Sequence, residues 1–215
     1  MKIAIMQPTY LSWIGYFALI DYVDKFILLD DVQFSYQSWQ HRNKILTKSG
    51  ALWLTVPCGK SKFFLKKHIK SIRQSYEKTF FFKNFSNQLF EVMNKKNEYL
   101  SELNINIILM IKDYLQIKTK LFKSSELEIK KSSKDQYLFD ICQSLNATKY
   151  VSPPGSENYL KNSNFFIKNN LQIEYFDYKH PAYNQINENF VSHLSIIDLI
   201  FNNGKKSLEI IRSGF

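Results

Sequence analysis

Apolar residues along this chain recur with two periods, and the switches between them predict alternating short strands and longer helices. The run from Lys2 to Met6 is apolar and ends at Gln7-Pro8-Thr9, where proline withdraws a backbone donor and stops a strand. Trp13, Phe17, Ile20 and Val23 then fall at three- and four-residue steps, which predicts an amphipathic helix. Phe26 to Leu29 reads as a second buried strand that ends at Asp30-Asp31. A strand, helix, strand unit with a right-handed crossover is the expected geometry. Residues 32–50 are polar and aromatic without a clean period and read as a structured loop. Leu52 to Val56 alternates as a strand and is stopped by Pro57.

Further along, Tyr76 to Leu100 and Leu103 to Leu115 have helical spacing. Leu121-Phe122 is a short strand before the polar turn Ser124-Ser125, and Asp135 to Leu145 is helical through Leu138, Ile141 and Leu145. Tyr150-Val151 is a strand that runs into Ser152-Pro153-Pro154-Gly155, and Gln172 to Phe176 alternates as another. Ser195 to Phe201 and Lys205 to Ile211 read as two short helices parted by Asn203-Gly204.

Strands alternating with helices predict an α/β fold, a mostly parallel sheet flanked by helices in the Rossmann-like manner. No repeat or linker stands out, so one domain over residues 1–215 is the simplest organisation. Ligands in such folds bind beyond the carboxyl ends of the strands. Three polar clusters fall at predicted strand ends: Gln7 to Thr9, Asp30-Asp31, and Ser152 to Gly155.

Composition narrows this picture. A hydrophobic fraction of 45% with 16% aromatics excludes a disordered chain. The longest apolar runs, such as Ile105 to Ile111, fall short of a membrane span, and the N-terminal run is too short for a secretory signal. Cys58 and Cys142 lack metal-ligand spacing and read as buried small hydrophobes, so no metal site is predicted and a reducing, cytoplasmic setting is expected. The sequence names no cofactor, and a homo-oligomer is compatible with it.

The net charge of +10 matters most for where it sits. No Asp or Glu occurs from Val32 to Tyr76, a stretch that holds Arg42, Lys44, Lys48, Lys60, Lys62, Lys66, Lys67, Lys70 and Arg73. That concentration argues for an anionic partner: a nucleotide diphosphate, RNA or anionic lipid headgroups. A lysine-rich solvated surface is the alternative.

Candidate chemistry clusters in the same places. Gln7, Tyr10 and Trp13 begin at a strand end, and rigid Tyr and Trp faces suit stacking on a base or sugar. Trp13 and Phe17, one helical turn apart, also fit ordinary core. Asp30 and Asp31 cannot both enter an apolar core, so they suit binding of ribose hydroxyls or a magnesium ion, or general base chemistry, with a loop cap as the alternative. Gln33 follows them. Trp39, His41, Arg42, Asn43 and Lys44 bring a stacking face, an imidazole and a bidentate phosphate fork within a few residues. Ser152 and Gly155 belong to a turn whose amides, at a helix start, suit an anion. His180, extended before Pro181, is the best placed histidine for a general base, with Tyr183 and Gln185 beside it. Walker, Gly-x-Gly-x-x-Gly and Gly-x-Ser-x-Gly motifs are absent.

The blocks 7–17, 28–34 and 38–45, with Trp53 to Pro57, Ser124 to Leu127, Tyr178 to Gln185 and Leu194 to Gly204, resemble the WbqC-like family over nearly the whole chain, in order. Ser12 departs from the family's common Pro, and Tyr36 from a common basic residue. The resemblance implies an enzyme of surface-polysaccharide (O-antigen, lipopolysaccharide) assembly acting on an amino sugar carried on a nucleotide. The expected reaction is acylation, for example with a glycyl group. Asp30, Asp31 or His180 would take the proton, Arg42 and nearby lysines would hold the diphosphate, and Tyr10, Trp13 and Trp39 would stack. An aminoacyl-tRNA donor would land on segment 32–76. Pro8-Thr9 followed by Trp13-Ile14-Gly15-Tyr16 is also similar to the nucleotidylyl-transferase layout, with both of its histidines replaced. Adenylate-forming chemistry in a pantothenate-synthetase-like fold is therefore a second reading, and a non-catalytic partner in glycan assembly a third.

Overall fold

Strand β1 (Lys2–Met6) buries Ile3, Ala4 and Ile5 in succession, the pattern of a strand covered on both faces. It is hydrogen-bonded on both sides, as the following topology requires. The computed structural model describes residues 1–36, 38–57, 63–161 and 163–215, so Cys58, Lys60 and Lys62 lie outside the described residues. After β1 come α1 (Ile14–Tyr22), β2 (Lys25–Leu28), β3 (Arg42–Thr47) and β4 (Gly50–Thr55). Helices α2 (Phe63–Tyr76), α3 (Phe82–Asn94) and α4 (Leu100–Leu115) follow. Then come β5 (Lys120–Lys123), α5 (Lys134–Ser144), β6 (Lys149–Ser152), α6 (Glu157–Leu160), α7 (Asn164–Lys168) and β7 (Gln172–Tyr175), and finally α8 (Ile196–Asn203) and α9 (Ser207–Arg212).

The chain divides into two compact units, each discontinuous in sequence. The sheet unit comprises Met1–Gln7, Leu19–Gln33 and Lys118–Tyr178, and the hairpin unit comprises Pro8–Ala18, Phe34–Ile117 and Lys179–Phe215.

In the sheet unit five strands lie in the order β5-β2-β1-β6-β7, every neighbouring pair parallel. Counted along the chain among themselves, these strands run 3-2-1-4-5, and the order reverses at β1. The α/β fold with a parallel sheet is as the alternation predicts. Register pairs Ile5 with Ile27, and Ala4 with Val151. Helix α5 supplies Leu138, Ile141 and Cys142 to a core with Ile3, Ile5, Ile27, Tyr150 and Phe166. Cys142 is the buried small hydrophobe expected of it, its thiol pushed up to about 12 by burial.

In the hairpin unit β3 and β4 pair antiparallel through a two-residue turn, with Thr47 opposite Gly50. Gly50 has φ of 106°, a left-handed conformation suited to glycine. The strand at 42–47 overturns the expectation of a loop across 32–50. Its alternation is hidden because a polar residue, Asn43, takes a buried position, its amide donating to the Leu11 carbonyl at 2.7 Å. Helix α2 was likewise not predicted, and the helix expected from Tyr76 to Leu100 is confined to α3, between 82 and 94. In α2 the inward positions His68, Ile72 and Tyr76 follow a four-residue step, but lysines between them mask the apolar face. The core here gathers Ile45, Leu46, Phe85, Ile107, Ile111 and Leu199, with Tyr76 and Phe201 stacked 5.0 Å apart. Among the described residues no helix is long and apolar enough to cross a membrane.

Candidate functional site

The carboxyl edge of the five-stranded sheet collects Gln7 after β1, Asp30 and Asp31 after β2, Ser124 after β5, and Ser152 at the end of β6. These are the three clusters expected at strand ends, joined by one that was not expected. The Ser124 hydroxyl lies 2.5 Å from Asp31 Oδ1 and 3.2 Å from Asp30 Oδ1, and it accepts the Asp30 amide at 3.1 Å. Ser125 donates to Asp30 from both its amide and its hydroxyl, at 3.0 and 2.8 Å. Tyr137, on α5, donates its phenol to Asp31 Oδ2 at 2.8 Å, and the Lys131 ammonium lies 3.5 Å from the same oxygen. Lys131 also donates to the Asp31 carbonyl.

Partial burial works against ionisation of Asp31. Hydrogen bonds from Ser124 and Tyr137 and the charge of Lys131 outweigh it and hold the carboxyl below its usual range. The Tyr137 phenol is pushed up to about 12, first by burial and then by its bond to Asp31. Asp31 is therefore a fixed carboxylate at neutral pH, an acceptor for hydroxyls or a counter-charge for an amine. Gln33 stands exposed at the end of its segment.

At the end of β6 the hydroxyls of Ser152 and Ser156 hydrogen-bond to each other, both buried. The Ser156 amide is spent on the Pro153 carbonyl at 3.1 Å, and α6 beyond it has only four residues. A dipole that short adds little to anion binding, so the turn does not form the helix-start cradle its sequence suggests. Gly155 is exposed in the same turn.

The remaining candidates lie in the hairpin unit, in three groups. In the first, Trp13 stacks on His193 at 5.3 Å and on His180 at 6.1 Å, with its indole over Gly15, where an added Cβ would stand 2.3 Å from the ring. The His180 Nε2 accepts the His193 amide at 3.1 Å, and its Nδ1 donates to the Pro181 carbonyl at 3.0 Å. Burial lowers the His180 pKa and the nearby His193 adds to the effect, so the ring is neutral with its lone pair engaged. Tyr16 is fully buried, and burial raises its phenol pKa. Neither Trp13 nor Tyr16 supplies the imidazole that the nucleotidylyl-transferase layout has at those positions.

The second group is internal. Asp198 is completely buried and accepts from Tyr76 at 2.8 Å, Tyr183 at 3.0 Å and Gln185 at 2.9 Å. Burial raises its pKa against the pull of those three donors. Gln185 also spans Val191 through both its amide and its carbonyl. Tyr183 and Gln185 thus direct their polar atoms at Asp198 and at backbone.

The third group joins residues 8–11 to residues 39–43. The Tyr10 amide donates to the Trp39 carbonyl at 3.0 Å, and the Asn104 amide group donates to the carbonyls of Pro8 and Gln40 at 3.0 and 2.8 Å. Tyr10 is buried, its phenol on His68 Nδ1 at 2.9 Å. Leu11, held by Asn43, has φ of 44°, a strained value for a residue with a Cβ. Among the described residues two buried side-chain atoms have no hydrogen-bond partner, His41 Nδ1 and Asn104 Oδ1. Buried polar atoms are nearly always paired, so this loop junction is where a bound polar group would gain most. On the outer face of the hairpin, Trp39 and Trp53 lie 5.6 Å apart, with Arg42 at 4.8 Å and Lys44 at 5.2 Å from the Trp53 ring.

Ser124, Lys131, Tyr137, His193, Asn104, Asp198 and Trp53 were not among the residues expected to form a site. Two carried a readable signal. Asn104 interrupts the apolar face formed by Leu103, Ile107 and Ile111, and Asp198 sits inside the apolar run from Ile196 to Phe201. A polar group on a buried face demands a partner.

Comparison with known proteins identifies the family. The family model for the WbqC-like protein family matches residues 7–210. A Mycobacterium tuberculosis protein named "Uncharacterized protein Rv1507c" is 32% identical over 227 aligned residues, covering 98% of this chain and 97% of that one. No solved structure matches the chain.

Proposed function

We propose that this chain, which belongs to the WbqC-like protein family, is a transferase of surface-glycan assembly that acylates the amine of a nucleotide-linked amino sugar. One observation carries the reading. The paired carboxylates Asp30 and Asp31, fixed by Ser124, Ser125 and Tyr137, stand at the carboxyl edge of an all-parallel sheet. Ligands of open parallel sheets bind outside that edge. An amino sugar offers an ammonium group and neighbouring hydroxyls, the groups a pair of ionised carboxylates binds best.

In this reading Asp31 anchors the sugar, because a carboxylate held below its usual range stays ionised and is a poor base. Asp30 relieves the ammonium of its proton. The free amine attacks the acyl carbon, the C–N bond forms while the bond from acyl carbon to carrier oxygen or sulfur breaks, and the second amine proton leaves with the carrier. An aminoacyl group such as glycyl is the acyl group favoured.

Thermal shift tests the reading with dTDP- and UDP-linked amino sugars beside the bare nucleotides. A ligand at about 100 times its Kd stabilises the fold by roughly 2.7 kcal/mol. The amino-sugar nucleotide should shift melting more than the bare nucleotide, and Asp31→Asn should erase that increment while leaving the nucleotide's own shift. An equal shift from the matching hydroxyl sugar, or a response to ATP alone, would sink it.

A further inference from the structure

The hairpin's outward face has a composition that the sheet edge does not share. Trp39 and Trp53 are 49% and 44% exposed, a large amount of indole to leave in water, and they lean together at 5.6 Å and 33°. Alternation along β3 sets Arg42 and Lys44 on the side opposite the buried Asn43 and Ile45, and cross-strand pairing puts Lys44 beside Trp53. Both cations lie about the Trp53 ring, at 4.8 and 5.2 Å. Lys48 is exposed at the turn of the hairpin.

Helix α2 adjoins this hairpin in the same unit, with the buried His68 bonded to the backbone of Thr55 and Tyr76 accepting the Leu46 amide at 2.8 Å. Its Lys66, Lys67, Lys70 and Arg73 are exposed. Among the described residues none of these four, nor Lys44 or Lys48, forms a salt bridge. The sequence offers them no local acid, since none occurs between Val32 and Tyr76.

We infer that the Trp39–Trp53 face of the hairpin, with its flanking cations, is a binding surface for single-stranded nucleic acid. Aromatic faces stack bases of any identity, and cations beside them hold the phosphates that link those bases. Openness distinguishes a strand from a free nucleotide. A small ligand needs a concavity that buries most of its surface, whereas a strand sums many weak contacts along an exposed face. Lys66, Lys67 and Lys70 on α2, exposed and without a salt bridge among the described residues, add cationic surface in the same unit, while Arg73 lies over the Phe82 and Phe90 rings. An anionic membrane would meet both the charge and the indoles, and vesicles therefore stand beside the oligomer in the test.

The inference deepens the acyl-transfer reading only in that RNA bound here would be a carrier for the acyl group, and binding is measured without any sugar. A failure here therefore leaves the amino-sugar test standing, and the reverse. The measurement is tryptophan fluorescence of the whole protein titrated with an oligouridylate of about 20 nucleotides, longer than the roughly 4–16 nucleotides that one small binding fold covers. Saturable quenching is expected, with log K falling linearly in log salt. Trp39→Ala and Trp53→Ala should each weaken binding about 5- to 150-fold, and Trp53→Phe should restore most of the loss. Arg42→Ala with Lys44→Ala should flatten the salt slope by about 1.4. Melting curves of the tryptophan variants confirm that they fold, since both side chains are substantially exposed. The inference is overturned by absence of quenching at low salt, or by tryptophan variants that fold yet bind unchanged. UDP displacing the oligomer at equal affinity with the same dependence on Trp39 and Trp53, or phosphatidylserine vesicles bound with that dependence, would overturn it as well.

Discussion

The sheet unit holds its ionic groups at a rim, while the hairpin unit takes polar groups inside. In the former, Asp30 and Asp31 keep some access to water, and Glu174 is shared by Lys2, Lys149 and Tyr22 near the start of the strands. In the latter, Asp198, Asn104, His41 and His68 are buried among aromatic and aliphatic neighbours. A rim group is replaceable by water, so its worth lies in where it points. An interior group has no such substitute, so it fixes the loops that reach it. Asp198 ties the 183–185 loop to α2 and, through Tyr76, to β3. The hairpin unit thus carries its polar ties inside, and the sheet unit carries its polar groups at an edge.

The strongest way to break this comparison is Asp198→Ala. It strands the buried Tyr76 hydroxyl, while the half-buried Tyr183 and Gln185 can turn to water, so a loss of about 1–3 kcal/mol is expected in denaturant unfolding. A loss below 1 kcal/mol would mean that the network is ornamental.

Acid titration sharpens it next. Burial depresses His68 to about 4 in the folded chain, against about 6.5 unfolded. Below 6.5 the unfolded chain therefore binds more protons, and stability falls until about pH 4. Asp198, raised by burial, has the opposite sign, its contribution improving as pH falls and it protonates. Asp31 and Glu174 are lowered, so their stabilisation is present above the unfolded carboxylate range near 4 and is lost only as pH falls below it. Melting temperature should fall in two stages, and His68→Gln should shrink the stage between about 6.5 and 4 without abolishing it, since burial lowers His180 as well. A single transition below pH 4, unchanged by that substitution, would contradict the contrast.

The mildest test is Tyr137→Phe. Removing one donor from a carboxylate that water still reaches should cost about 0.5–1.5 kcal/mol. Asp31 should titrate higher in this variant, as carboxyl NMR would record. A cost as large as that of Asp198→Ala would erase the distinction between rim and interior.

Legibility in sequence follows the same division. The parallel strands were readable because burial on both faces writes continuous apolar runs such as Lys2 to Met6 and Phe26 to Leu29, and the strand-end polar clusters followed from them. Ser124 was readable only as a turn and as part of a family block, because its role depends on β5 lying beside β2, a pairing about a hundred residues apart in the chain. In the hairpin unit the inward polar residues Asn43 and His68 broke the periods by which β3 and α2 would have been found. Trp53 was read only as part of a strand and of a family block, since its neighbours Trp39, Arg42 and Lys44 come together through the hairpin's register. Periodicity reports which face is apolar and says nothing of a buried face that is polar by design.

The order in which the polypeptide leaves the ribosome gives the interleaved units a further meaning. The chain passes from one unit to the other at residues 7/8, 18/19, 33/34, 117/118 and 178/179. β1 is made early, yet its second neighbour, β6, is synthesised only after α2, α3, α4 and α5 have emerged. Until β6 emerges, one edge of a strongly apolar strand lacks its mate, the situation in which nascent chains attract chaperones or pair wrongly with one another. Neither unit exists as a contiguous stretch that could be expressed alone, so a nonsense mutation before β7 removes an outer strand of the sheet unit together with α8 and the Asp198 anchor of the other.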